Sequence, residues 1–253
     1  MIHRQDHDDV AFLRLAHGKV SALDVELLEG LSASLDELER SPARAAVLTG
    51  SGRCFSAGVD LFRVLEGGAA YLDRFLPLLT STFRRLFTFP RPVVAALNGH
   101  AIAGGCILAA ACDLRVMARG GDGSGGRVGV PELLVGVPFP LLALEILRFA
   151  TPGARLGELV LGGATWAPDE ALRRGLVDEL VEPEGLEARA LDLARGLAAL
   201  PAESFRITKA ALRRPYLERF ERDGARVDAE VAAAWASDEG QAAIRAYLER
   251  TLR

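Results

Sequence analysis

At 253 residues, 50% of them apolar and 25% charged, the chain can bury a substantial core, as one large domain or as a core with a smaller appendage. A net charge of −4 argues against a nucleic-acid surface, and Cys54, Cys106 and Cys112, an odd set without zinc-ligand spacing, read as reduced thiols. Met1 to Asp9 is polar and no apolar run approaches the roughly 18 residues of a membrane span, so a soluble, cytoplasmic protein is expected.

Val10 to Leu15 alternates as a strand does, and His17-Gly18-Lys19 reads as the turn behind it. Leu23, Leu27, Leu28, Leu31, Leu35 and Leu38 share one face of a helix that ends before Pro42. Ala45 to Thr49 is a short apolar strand running into Gly50-Ser51-Gly52. After it, Cys54 to Leu61 sets small residues around Gly58, which suits close approach of backbone to a ligand. A second helix is expected over Ala69 to Thr88, then a strand from Pro92 to Leu97.

Asn98 to Asp113 is the most informative stretch. It turns at Asn98-Gly99 and enters a small-residue helix through Gly104-Gly105, where unpaired N–H groups at a helix start can hold a developing negative charge. Leu114 to Met117 reads as a buried strand. Gly120 to Gly126 lacks the Lys and Ser/Thr ending of a phosphate loop and reads as a mobile insertion. Glu132 stands alone in the apolar segment Val130 to Pro138. Such a carboxylate either caps a local backbone group or is chemically employed, and spacing alone favours the cap.

Helices are expected over Leu141 to Phe149, Gly153 to Leu161 and Pro168 to Arg174, followed by Val177 to Val181. From Glu184 the pattern is helical, with Pro201 and Pro215 as breaks and Phe220, Trp235 and Tyr247 as apolar anchors. No internal repeat is visible. Alternating strands and helices argue for an α/β core over 1–200 and a helical region over 201–253.

Three segments in this order, Ser21-Ala22-Leu23-Asp24, Phe55 to Leu61, and Asn98-Gly99 through Ala103-Gly104-Gly105-Cys106 to Cys112-Asp113, resemble the crotonase (enoyl-CoA hydratase/isomerase) superfamily. Gly175-Leu176-Val177-Asp178 resembles it too, and the likeness spans about residues 8 to 215. It implies an α/β spiral of β-β-α units, a C-terminal helical region used for trimerisation, and an acyl-CoA thioester substrate, with a homotrimer or hexamer and no cofactor beyond the coenzyme A moiety. It also implies that the backbone N–H groups of Val59 and Gly104 form an oxyanion hole, each donor worth on the order of 10²–10³ in rate. Ala57, Gly58, Asp60, Leu61 and Phe62, with Ala22, Leu23 and Gly105, are then the expected substrate-binding residues; Lys19, Arg63 and Lys209 are the candidates for the CoA phosphates.

The family's hydratases carry a glutamate one residue beyond Cys106, where this chain has Ile107, while their second glutamate matches Glu132. Hydration divides the activation of water between two carboxylates. Moving a double bond from β,γ to α,β needs one base, as in the mitochondrial-type enoyl-CoA isomerases that the Ala-Gly-Gly-Cys-apolar turn resembles. Isomerisation with Glu132 as single base is therefore favoured, with its pKa raised by apolar neighbours. The alternatives are hydration or another crotonase-type reaction with one carboxylate, a non-catalytic acyl-CoA-binding protein, and a Ser-His-Asp protease using Ser56 and His100, which nothing in the spacing pairs. Cys106 at a helix start is either a low-pKa thiol or a small packed residue, the latter favoured.

Overall fold

The computed structural model describes residues 1–120, 125–151 and 153–251. Residues 121–124 of the Gly120 to Gly126 run expected to be a mobile insertion lie outside the described residues. Six strands form one sheet, in the order β1 (Ile2–His7), β2 (Val10–Leu15), β3 (Ala45–Thr49), β5 (Val93–Leu97), β7 (Leu114–Ala118), β10 (Glu179–Val181). A smaller sheet has the order β4 (Cys54–Ser56), β6 (His100–Ile102), β8 (Val128–Gly129), β9 (Thr165–Trp166). In the large sheet only the β1/β2 pair is antiparallel.

The large sheet is buried on both faces, and strand periodicity decides which residue serves which face. Val10 and Phe12, Ala45 and Val47, and Val94 and Ala96 point to one side, where α8 (Leu186–Ala198) covers them with Leu186, Ala190, Leu191 and Ala194. Ala11 and Leu13, Ala46 and Leu48, and Val93 and Ala95 point to the other, into the main core with α1 (Val25–Arg40) and α2 (Leu61–Phe87).

Three consecutive units repeat one pattern: β3, β4, α2; then β5, β6, α3 (Gly104–Ala111); then β7, β8, α4 (Glu132–Val135). Each unit lays its first strand in the large sheet and its second in the small one. The repeat is one of topology rather than of sequence, which is why no period was visible in the residues.

One strand is added to those read from the sequence, and two expectations are corrected. The polar opening is a strand, β1, because an edge strand is held by backbone pairing to β2 (His7↔Val10 through Ile2↔Leu15) and needs no apolar run. The second helix starts at Leu61 rather than Ala69: Asp60 caps it by accepting from the amides of Phe62 and Arg63, and Gly68, with φ +53°, kinks it where the sequence suggested a start. Pro215 does not break the last part of the chain; α9 runs unbroken from Ala202 to Ala236. The missing proline N–H is tolerated because tertiary contacts grip the helix on both sides. Lys209 and Arg213 bind Asp113 at 2.7 and 2.8 Å, and Tyr216, Leu217 and Phe220 pack on the core. α10 (Asp238–Thr251) closes the chain, and no described helix is long and apolar enough to cross a membrane.

Candidate active site

β4, β6 and β8 lie side by side and parallel, so the segments leaving their C-terminal ends emerge at one edge, about 4.8 Å apart per strand. Those segments carry Val59, Gly104 and Glu132. The three residues predicted to do the chemistry thus occupy equivalent places in three successive units, each just beyond a short strand at or before the start of a helix.

In the first segment nearly every amide is spent. Ala57 donates to Val20 (3.0 Å), Gly58 to the Ser56 hydroxyl (3.2 Å) and Asp60 to the Leu23 carbonyl (3.0 Å), while Leu23 donates to the Gly58 carbonyl (2.7 Å). Leu23 thereby grips both sides of Val59, and the Val59 N–H has no acceptor among the described residues. Ser56, fully buried, also donates to the Ser21 carbonyl (2.7 Å). Its hydroxyl is committed to shaping this loop, and the His100 ring accepts from the Arg127 amide (3.1 Å), so the two do not form a nucleophile and base.

At the second segment Ala103 is held at φ +53°, ψ −127°, a conformation costing about 1–3 kcal/mol in a non-glycine residue. Its amide donates to Gly129 (2.8 Å) and its carbonyl accepts from Ile107 (3.1 Å), leaving the Gly104 N–H as an unpaired donor at the first turn of α3. A side chain at Gly105 would run into the Ser56 carbonyl, so this glycine is required for packing.

Glu132 opens α4, and only 9% of it is exposed. One carboxyl oxygen, Oε2, is buried without a hydrogen-bond partner. Burial raises its pKa to about 8, with its own backbone amide opposing weakly. The local backbone contact leaves Oε2 free, and a carboxyl in such apolar company exchanges its proton near neutral pH.

Val59, Gly104, Glu132 and Ile107 line one cavity, together with Ala57 and Leu61. Leu79 and Phe83 of α2 and Phe139 wall it, and the C-terminal helices add Trp235 and Tyr247. The sequence marked those two only as apolar anchors; neither carries a local signal for a site. Trp235 is fixed by its indole N–H on the Pro138 carbonyl (2.9 Å).

Other expected residues sit apart from the cavity. Leu23 is buried behind Val59, Asp60 is spent on capping α2, and Phe62 projects into solvent. Ala22 lies in the half-buried turn before Leu23. Cys106 is fully buried and its thiol is pushed up by desolvation, a packed residue rather than a nucleophile. Lys209 is corrected as a phosphate contact: it is buried, paired with Asp113 and bonded to the Arg91 carbonyl (3.0 Å). Arg63 is exposed and held by Glu26 (3.0 Å).

One cavity thus collects two unpaired backbone amides, those of Val59 and Gly104, and one desolvated carboxyl, that of Glu132. The profile of the enoyl-CoA hydratase/isomerase family matches residues 5–252, and the chain belongs to that family. It is 38% identical over 237 residues to a Thermus thermophilus protein named provisionally as an enoyl-CoA hydratase, covering 90% of this chain and 89% of the relative. Human mitochondrial enoyl-CoA delta isomerase 1 is 31% identical over 247 residues, covering 95% and 80%. The crystal structure of human mitochondrial delta3-delta2-enoyl-CoA isomerase superposes with a TM-score of 0.93 at 26% identity, over 99% of this chain and 98% of that one. The chain is thus an enzyme of the hydratase/isomerase type with the crotonase fold, and its relatives carry both names.

Proposed function

We propose that this enzyme moves a β,γ double bond of an enoyl-CoA to the α,β position, with Glu132 as the single base. The observation carrying this is the pairing of Glu132 with Ile107: the cavity has one carboxyl, and where the family's hydratases carry the other it has a buried aliphatic side chain.

The thioester oxygen accepts from the Val59 and Gly104 amides. Glu132 as carboxylate takes the α proton, and the C–H electrons flow through the α-carbon onto the thioester oxygen, giving a dienolate. As the dienolate collapses, the γ-carbon takes the proton back from Glu132, the double bond settles at α,β, and the carboxylate is restored. No water is consumed, and no cofactor beyond the CoA moiety is used. Preorganised donors aimed at that oxygen supply the largest part of the rate.

Hydration is the second reading, favoured by the names of several relatives. The deciding experiment supplies 3-enoyl-CoA and 2-enoyl-CoA separately and follows double-bond migration and 3-hydroxyacyl-CoA formation. Migration without hydration is expected; hydration as the faster reaction rejects the isomerase assignment.

The same reading includes Ala57, Gly58 and Leu61 along the substrate path, with Lys19 and Arg63 toward the CoA phosphates. It also includes a homotrimer or hexamer, supported by the exposed Leu134 on α4, Leu161 on α6 (Gly153–Leu161) and Ile207 on α9. Three free thiols support a reducing, cytoplasmic setting.

A further inference from the structure

The loop that carries the Val59 amide hangs on the segment 17–24. Ala57 donates to the Val20 carbonyl, the Ser56 hydroxyl to Ser21 and Asp60 to Leu23, while Leu23 donates to Gly58. Val59 is therefore placed by reference to a loop that contributes no wall to the catalytic cavity.

That reference loop is itself strained. Ser21 stands at φ +45°, left-handed backbone that non-glycine residues rarely adopt, and it is buried. Such a conformation persists where several bonds over-determine it. His17 takes part in three of them. Its carbonyl accepts from the Ser21 amide (2.9 Å), its amide donates to the Ser21 hydroxyl (3.4 Å), and its ring meets Asp24 Oδ2 through Nε2 (2.6 Å). A carboxylate only accepts, so Nε2 carries the proton of that bond.

Asp24 is a firm anchor for it. The residue is buried, and its other oxygen accepts from the Leu27 amide (2.8 Å), capping α1. The His17 ring thus ties the start of the loop to the first turn of a core helix. Arg63 stands 3.8 Å from the same Asp24 oxygen and is held by Glu26 at 3.0 Å, too far to replace the ring's hydrogen bond. Without the ring, the turn at Ser21 can relax toward ordinary backbone and carry Leu23 with it, and Leu23 grips Val59 on both sides.

We propose that His17 is a positioning residue for the oxyanion hole: by closing the segment 17–24 onto Asp24, it fixes the template that aims the Val59 amide. This rests on the assignment of the Val59 and Gly104 amides as donors to the thioester oxygen. His17 acts only through the loop and does not line the cavity.

The test follows the thioester itself. Butanoyl-CoA isotope-labelled at its carbonyl carbon binds without chemistry, and infrared difference spectra read how strongly the two amides polarise that carbonyl. The wild-type enzyme is expected to lower the carbonyl frequency on binding. His17→Ala and His17→Asn, whose amide is too short to reach Asp24, are expected to lower it less. On a short 3-enoyl-CoA both are expected to lose about 10- to 100-fold in kcat, less than outright removal of a donor, with KM within about threefold of the wild type. His17→Gln, whose terminal amide reaches as far as Nε2, is expected to restore both kcat and frequency. The unfolding midpoint reports whether each variant is folded. A folded His17→Ala or His17→Asn with wild-type kcat and carbonyl frequency, a loss confined to KM, or a folded His17→Gln no better than His17→Ala would each overturn the proposal. Failure of the oxyanion-hole assignment is seen separately, as a wild-type enzyme that leaves the carbonyl frequency unchanged on binding.

Discussion

The backbone of Gly58 lies directly against that of Gly104. A Cβ built on Gly58 would stand 3.0 Å from the Gly104 nitrogen, 2.7 Å from the Ile102 carbonyl oxygen and 2.6 Å from the Ala103 Cβ. The contact spaces the two donor segments, and Gly58 also needs its φ of +83°. Gly58→Ala is therefore expected to push Val59 and Gly104 apart. We expect a loss of about 10²–10³ in kcat, the effect of one lost oxyanion donor, measured with a short 3-enoyl-CoA; unchanged kcat would show that the spacing is not limiting.

As the proposed base Glu132 must be ionised to act, and burial pushes its pKa up to about 8. The pH profile of kcat/KM is accordingly expected to climb through neutrality and level off above about 8, and Glu132→Gln to abolish turnover while leaving acyl-CoA binding intact. A flat profile from pH 6 to 9 contradicts the assignment.

The same shift has a consequence for stability. Between the ordinary value of 4.5 and about 8, the folded enzyme keeps a proton that the unfolded chain has released. The stability owed to this group is complete below 4.5 and is lost as pH rises through about 8, by on the order of 5 kcal/mol at most. Glu132→Gln removes that dependence, so its unfolding midpoint in urea is expected to gain on the wild type between pH 5 and 8.

Ile107→Glu restores the acid that the family's hydratases carry. Measurable formation of 3-hydroxyacyl-CoA is expected where the parent shows little. The side chain is 1% exposed, so an unpaired polar group there costs about 1–3 kcal/mol. A folded variant without any hydration would mean that the missing acid is not what withholds that reaction.

Asp113 ties α9 to the core by accepting from Lys209, Arg213 and the Val93 amide (2.8 Å). Asp113→Ala leaves two buried cations uncompensated, an arrangement costing about 3–5 kcal/mol. Denaturant unfolding is expected to show this loss; a change below 1 kcal/mol would mean the cations find water instead.

The residues that meet in the cavity were marked in the sequence because close approach of backbone leaves a local trace. A free amide brought against a ligand needs small neighbours, hence Ala57-Gly58 and Ala103-Gly104-Gly105, and an acid within Val130 to Pro138 stands out from apolar company. The absent glutamate at Ile107 was equally visible. The strands of the large sheet were readable wherever both faces are apolar, and β1 was not, because backbone pairing rather than side-chain character holds an edge.

Tertiary structure decided what depends on distant residues. Only folding brings β4, β6 and β8 into parallel register, which sets Val59, Gly104 and Glu132 at one edge from three units that share no sequence period. Only packing desolvates Glu132, buries Lys209 against Asp113, carries α9 through Pro215, and swings Trp235 and Tyr247 over a cavity about 100 residues earlier in the chain. The sequence by itself determined the family and which groups are candidates for the chemistry; the fold determined where they meet, how strongly Glu132 holds its proton and how much room the cavity has, because desolvation and cavity shape are properties of the whole packed interior.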